Sequence, residues 1–401
     1  MKTFLLFILV ILSISRIIRC QCTIDIKTEL NRTATGTVKE PLFLKYTGSE
    51  YRLMLPDSTG HLNFRQGENA MVACTSDQKP NTLTFNNKTS STIFCLSGDS
   101  YNINNMRYKV SDFNECKSLI TGNTINLNKK CADQGSMITI GFQLTEGRGF
   151  ITLIEICYNK KRSSSIYAKH IVQGKIIKNK MITNTRPSLF KKTEVPTKVN
   201  PQKSFTKSNQ LKRFQQIFGD LETAQEFINK TYLARGHLAP DADFIFASWQ
   251  SSTYYYINTV PQWQSINNGN WKHIESAIRS KANQLKADLE IYTGGFDVLK
   301  LKNKKISMEN DGLDVPKWSW KIVKLPFENL GIAFLTLNNP FALSSPNALC
   351  QDVCNESGWN WKERKSISKG WTICCRVSDL MRVILDVPEE AWSENILRYN
   401  N

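Results

Sequence analysis

The chain of 401 residues carries 52 Lys and Arg against 35 Asp and Glu, a formal net charge of +17. An excess of that size draws polyanions by long-range steering and makes their binding salt-dependent. Four histidines in all, with no His-Glu-x-x-His and no Gly-x-Ser-x-Gly, argue against zinc-peptidase and serine-esterase chemistry.

At the N-terminus Lys2 precedes the apolar run Phe4-Leu5-Leu6-Phe7-Ile8-Leu9-Val10-Ile11-Leu12, the pattern of a secretory signal peptide, here expected over residues 1–21. The run is too short for a comfortable span, and no later stretch is long and apolar enough to cross a bilayer. Export is therefore expected, with three of the positive charges, Lys2, Arg16 and Arg19, lying in the leader. Of 11 cysteines, Cys20 lies near the cleavage point and the others fall into two even groups. Cys22, Cys74, Cys95, Cys116, Cys131 and Cys157 form the first, and Cys350, Cys354, Cys374 and Cys375 the second. Such grouping predicts two separately stapled domains in an oxidising compartment. Zinc ligation by the second group is the minor alternative. Adjacent cysteines pair poorly with each other, so Cys374 and Cys375 are expected to reach Cys350 and Cys354. Asn31, Asn87, Asn229 and Asn355 begin glycan-acceptor sequons.

Residues 22–160 read as β-rich. Segments 41–46, 71–74, 92–95, 137–142 and 150–156 are short, apolar or alternating, and are separated by Gly, Asn, Asp and Ser. A small sandwich or partly open barrel is predicted, without a cluster of catalytic residue types. From Lys160 to Arg213 fifteen Lys and Arg face a single acid, Glu194. Ser163-Ser164-Ser165 is the expected domain boundary, and 165–172 the first strand of a second domain over 161–401. Residues 191–212, with Pro196 and Pro201, read as a surface loop before a helix around 211–228.

The stretch from Leu233 to Glu290 carries the chemistry. A short β-like run delivers Arg235 and His237 in Leu-Ala-Arg-Gly-His-Leu-Ala-Pro. Further on come Asn258-Thr259-Val260-Pro261-Gln262-Trp263 and Asn267-Asn268-Gly269-Asn270-Trp271. Trp271, Ile274, Ile278, Ala282, Leu285 and Leu289 then recur at steps of three and four, the signature of an amphipathic helix. Asn267 falls at or before its first turn. Glu275 lies eight residues on, roughly 12 Å along a helix axis, so the two share an ion only through a bridging water. The following short strand is expected to end in a turn at Gly294-Gly295. Segments 289–296, 318–323 and 331–338 read as core strands, and 377–384 as a closing helix.

These types suit phosphodiester hydrolysis. Mg²⁺ prefers oxygen and keeps several waters, so one Asn carbonyl plus phosphate oxygens suffices to hold it. A neutral imidazole takes a proton from the attacking water, and a guanidinium grips phosphate through paired hydrogen bonds.

Arg-Gly-His-Leu-Ala-Pro, Asn-Thr-Val-Pro-Gln-Trp and Asn-Asn-Gly-Asn-Trp with Glu275 beyond resemble the DNA/RNA non-specific endonuclease family. Asp243-Phe244, the Tyr254–Tyr256 run and Pro261-Gln262-Trp263-Gln264 look most like its secreted arthropod branch, which includes double-stranded RNA-degrading nucleases. The resemblance covers roughly residues 165–385. It implies an α+β fold: a ββα-metal nuclease domain with a central antiparallel sheet and helices, preceded here by the disulfide-stapled β-rich domain. It further implies His237 as general base, Asn267 as the direct ligand of Mg²⁺ (Mn²⁺ as substitute), and Glu275 ordering metal-bound waters. Arg235 would contact substrate. Arg186 is the candidate second arginine, and Asn258 has a supporting role beside the scissile phosphate. The substrates implied are RNA and DNA, double- and single-stranded. Ala234 stands where the family motif has Asp, a residue that is not the base. That change motivates a second reading, a catalytically weakened nucleic-acid-binding protein of the same fold.

Overall fold

The computed structural model describes residues 21–31, 38–76, 80–132, 134–181, 187, 189–193 and 199–400. Arg186, Glu194, Pro196 and Lys198 lie outside the described residues, as do residues 1–20 of the expected leader, whereas Gln21 opens the first strand.

Three of the N-terminal strands, at 42–46, 69–73 and 90–97, form where the sequence predicts them, and five more join them. They are β1 (Gln21–Asp25), β2 (Leu42–Tyr46), β3 (Tyr51–Leu53), β4 (His61–Arg65), β5 (Asn69–Ala73), β6 (Ser90–Ser97), β7 (Ser100–Ile103) and β8 (Met106–Lys109). Six of them make one sheet in the order β3-β2-β5-β6-β7-β8, and β1 pairs with β4. Disulfides Cys22–Cys95 and Cys74–Cys116 staple this unit.

The next three strands belong elsewhere. β9 (Asn123–Cys131), β10 (Gly135–Gln143) and β11 (Phe150–Asn159) continue without a break into β12 (Ser164–Val172), β15 (Leu289–Val298), β16 (Pro316–Leu325), β17 (Leu330–Leu337) and β18 (Thr372–Cys375). A short strand, Asn395–Ile396, joins β17 in parallel and completes nine strands. β11 and β12 pair through the whole of the expected boundary, from Glu155↔Lys169 to Asn159↔Ser164. A division near residue 160 would therefore cut a sheet and not a linker. The buried apolar cluster is continuous too, joining Ile24, Leu44 and Phe113 to Trp249, Ile274 and Phe334. Glu40 Oε1 accepts the Ser248 N–H at 2.6 Å across the same contact.

Remaining disulfides are Cys131–Cys157, Cys350–Cys375 and Cys354–Cys374, so no bridge crosses between the two groups and the 350s cysteines are not zinc ligands. The helix expected around 211–228 is two helices, α1 (Lys207–Phe218) and α2 (Leu221–Ile228). Gly219 adopts φ 94° between them, and the Asp220 side chain caps α2 through the Thr223 N–H; a left-handed residue followed by an N-cap stops one helix and starts another.

The long amphipathic helix is α3 (Lys272–Leu285), with Ile274, Ile278 and Ala282 buried on the sheet side. Leu289 continues the helical spacing but lies in β15, because Lys286 turns left-handed at φ 52° and ends the helix. Gly294 and Gly295 sit within β15 and make no turn. A Cβ on Gly294 would stand 2.4 Å from the Ile166 carbonyl oxygen and 2.5 Å from the Trp320 ring, so close strand packing explains the glycine.

Candidate active site

β13 (Leu233–His237) pairs antiparallel with β14 (Thr259–Trp263), Ala234 opposite Gln262 and His237 opposite Thr259. Side chains alternate along a strand, so Arg235 and His237 project from one face. Gly236 lies between them because a Cβ there would be 2.8 Å from both Cβ and Oε1 of Gln262. The chain beyond His237 is fixed by Asn258. Its carbonyl accepts the Leu238 N–H at 2.9 Å, and its side-chain oxygen accepts the Ala239 N–H at 3.0 Å. Its amide donates to the carbonyls of Ala239 at 2.8 Å and Thr253 at 2.9 Å. Asn258 is 0% exposed, so its side chain holds the loop that follows His237 and presents no surface of its own.

Aromatic rings surround the two functional side chains of β13. The Arg235 guanidinium carbon lies 5.0 Å from the ring centre of Phe190, 5.9 Å from Phe205 and 6.0 Å from Tyr256. Phe190 also stands 5.2 Å from the His237 ring, which meets Tyr254 edge-on at 5.1 Å. Lys191 pins Phe190 in place, its N–H donating to Tyr254 at 2.8 Å and its carbonyl accepting from Tyr256 at 3.0 Å. Cation–π contacts of this kind are worth about 0.5–2 kcal/mol and orient a planar guanidinium.

The segment that carries Asn267 departs from one straight helix. Asn267–Trp271 forms a wide turn in which Gly269 is non-helical, at φ −91° and ψ −125°. The axial separation of Asn267 and Glu275 expected for a continuous helix therefore does not apply. A Cβ on Gly269 would lie 2.5 Å from the Lys369 carbonyl oxygen. Asn270 secures the turn, donating to the carbonyls of Glu363 at 2.9 Å and Gly370 at 2.7 Å and accepting from the Trp361 indole at 2.8 Å. Asn267 remains half-buried beside them.

Glu275, on the first turn of α3, is half-buried. Burial pushes its carboxyl up to about 7, with Asp243 and Asp241 adding to the rise and Lys321 and Arg279 opposing it. Lys321, in β16, is 1% exposed. Its ammonium donates to the Leu238 carbonyl at 3.2 Å and the Thr293 hydroxyl at 2.6 Å, 5.1 Å from the Trp271 ring centre. Asp243 accepts from His170 Nε2 at 2.8 Å and from Arg279 at 2.8 Å.

Arg235, His237, Asn267 and Glu275 thus lie on elements that meet around Lys321, while Arg186 is outside the described residues. Asp243 entered the sequence reading only as part of the family resemblance, without a role, and Lys321, Arg279 and His170 were not singled out from sequence. Arg279 had a visible signal, one helical turn after Glu275 on the same face. Lys321 had another, a lysine among the tryptophans and aliphatics of a core strand, where lysine is almost never buried unless paired. His170 has no signal at the level of sequence, since Asp243 is 73 residues away.

Oxygen donors dominate the site, an Asn amide and a carboxylate whose proton affinity is raised by burial against the opposing charges of Lys321 and Arg279. That set fits a hard divalent cation held largely by water and phosphate. Among the described residues the metal-type cluster of His, Cys, Asp and Glu is Asp352, Cys354 and Cys374, whose two cysteines are in a disulfide.

The sequence profile of the DNA/RNA non-specific endonuclease family matches residues 133–380, more than half of the chain. The chain belongs to that family. Its matched region begins between β9 and β10 in the sequence, in keeping with a sheet that starts before residue 160. The salivary endonuclease of Lutzomyia longipalpis is 31% identical to this family member, over 89% of the chain and 83% of the relative. Salivary protein Tsal2A of Glossina morsitans morsitans is 28% identical over 98% of the chain and 100% of the relative. A chain of the solved EndoG/EndoGI complex is 14% identical, covering 55% of this chain and 84% of that one at a TM-score of 0.34. Family membership makes the chain a nuclease with nucleic acid as substrate.

Proposed function

We propose that the protein is a secreted, Mg²⁺-dependent, sugar-non-specific endonuclease that hydrolyses double- and single-stranded RNA and DNA to 5′-phosphate products. The observation that carries the reading is one buried lysine, Lys321, that bonds the residue after His237, lies beside the end of the Asn267 turn and acts on Glu275. His237 takes the proton of the attacking water as the water oxygen bonds to phosphorus. The bond from phosphorus to the 3′ oxygen then breaks, and the phosphate stays on the 5′ side. Arg235, oriented by its aromatic neighbours, grips the non-bridging oxygens. Arg186 is assigned the second clamp on developing charge. Asn267 would hold the metal directly and Glu275 would order its waters; bound there, Mg²⁺ supplies positive charge to the phosphate oxygens and the leaving group. Asn258 supports the reaction by holding the loop after His237. Secretion is supported by the leader-like N-terminus, five disulfides and the salivary names of the relatives.

Plasmid nicking with and without EDTA, for wild type and His237→Ala, tests the reading. Wild type is expected to cut only with the metal. His237→Ala should lose about 10²–10⁴ in turnover, the usual worth of a general base, while duplex binding in EDTA stays the same. Turnover within about tenfold of wild type would remove His237 from the role. A wild type that binds duplex but never cuts would favour the weakened binding protein to which Ala234 points.

A further inference from the structure

Lys321 is a charged side chain buried in the sheet, and the functional reading above gives it no task. It lies between Trp320 and Ile322, both 0% exposed, in a strand whose fold would be served by Met or Leu at that position. Burying an ammonium costs several kcal/mol before its contacts offset that cost, and apolar replacement of buried ions is often neutral or stabilising. Its contacts are distributed in an informative way. One N–H holds the carbonyl of Leu238, the residue after His237; another holds Thr293, its cross-strand neighbour; the charge faces Trp271, the last residue of the Asn267 turn. Glu275 and Asp243 are the acids that act on it, and Arg279 is the opposing cation. No carboxylate oxygen of the described residues stands within the 4.0 Å of a direct ion pair with it. The ammonium is therefore shared among the residue that follows β13, the central sheet and the turn that leads into α3.

We propose that Lys321 is a positioning residue of the hydrolytic site, its ammonium fixing the strand that carries His237 against the helix that carries Glu275 and setting the charge beneath both. The inference rests on the hydrolytic reading above. It requires that loss of the ammonium damage chemistry and metal binding without damaging the fold. A lysine with a purely structural part would do the reverse.

The test compares wild type, His237→Ala, Lys321→Met and Thr293→Val by kcat and KM on duplex substrate, by Mn²⁺ affinity from calorimetry without substrate, and by Tm. Lys321→Met is expected to lower kcat roughly 10–100-fold with KM nearly constant, as for a misplaced catalytic group. It should also weaken Mn²⁺ binding several-fold and leave Tm equal or higher. Thr293→Val removes one partner of the ammonium and keeps its charge, so kcat should fall by a smaller factor while Mn²⁺ affinity stays at the wild-type value. Lys321→Met with wild-type kcat and Mn²⁺ affinity overturns the proposal, and so does a kcat loss that only follows a lower Tm. If Lys321→Met does not fold, Thr293→Val decides alone, and an unchanged kcat there sinks the assignment. Should wild type itself fail to cut, the hydrolytic reading fails, whereas the Mn²⁺ affinities still report on Lys321.

Discussion

Asp243 is 2% exposed and lies between His170 and Arg279, a carboxylate whose ionisation is tied to the fold. Burial alone would raise its pKa, but the hydrogen bond from His170 and the charge of Arg279 outweigh burial and hold the carboxyl down to about 2. Burial pushes His170 below its ordinary value, with the hydrogen bond to Asp243 and the charge of that carboxylate opposing the shift. The signs follow from proton counting. A depressed Asp stabilises the fold fully above its unfolded pKa of about 3.9, and that contribution disappears as pH falls through about 2. A depressed His likewise costs stability as pH drops below about 6.5, because only the unfolded chain takes up the proton. Asp243→Asn should lose about 2 kcal/mol at pH 7, at about 1.4 kcal/mol per pKa unit, and the gap to wild type should close toward pH 2. Urea midpoints at pH 7, 5 and 3 check this; a gap independent of pH would show that the charge of Asp243 contributes nothing to the fold. Asp243-Phe244 was visible in the sequence as part of a family resemblance, yet its partners were not, since His170 had no companion nearby in the chain.

Between elements, the turn before α3 decides where Asn267 points. The heptad-like spacing from Trp271 gives the helix its buried face, but spacing has no information on the non-helical Gly269 or on the Asn270 bonds to the 363–370 loop. Gly269→Ala would push a methyl against the Lys369 carbonyl. The expected result is a loss of about 1–3 kcal/mol of stability, typical of overpacking, together with a higher Mg²⁺ requirement from displaced Asn267. Thermal melts and Mg²⁺ titrations of activity measure the two effects separately. A variant with a lower Tm and an unaltered Mg²⁺ requirement would show that the turn does not set the metal ligand. The same limit explains the helix pair at Gly219. Glycine tolerates a helix interior at a cost, and only the capping bond from Asp220 made a break the better solution.

For the whole molecule, the consequence of the nine-stranded sheet is that the nuclease elements do not stand alone. Removing residues 1–160 would strip β11 from β12 and expose the sheet-side apolar residues that pack against the N-terminal unit. An unpaired central strand with an apolar face is an aggregation template. A 161–401 fragment is therefore expected to be insoluble or molten, without the cooperative melt of the full chain, by circular dichroism and gel filtration. A soluble fragment with wild-type kcat would restore the boundary that the serine run suggested. Ser163 instead ends the tight connection between β11 and β12, and Ser164 and Ser165 open β12, a local feature that in sequence looks the same as a linker.

By itself the sequence determined the family, the two groups of cysteines, several core strands and the buried face of α3. Each is carried by residue type or by a period of two to four residues, and such patterns survive without knowledge of the fold. Only the tertiary structure decided that Lys321 meets Leu238 across 83 residues, that His170 meets Asp243 across 73, and that the sheet crosses the expected boundary. Those contacts depend on which buried charges end up adjacent once the strands have paired. Desolvation, not local spacing, then sets their partners and their protonation.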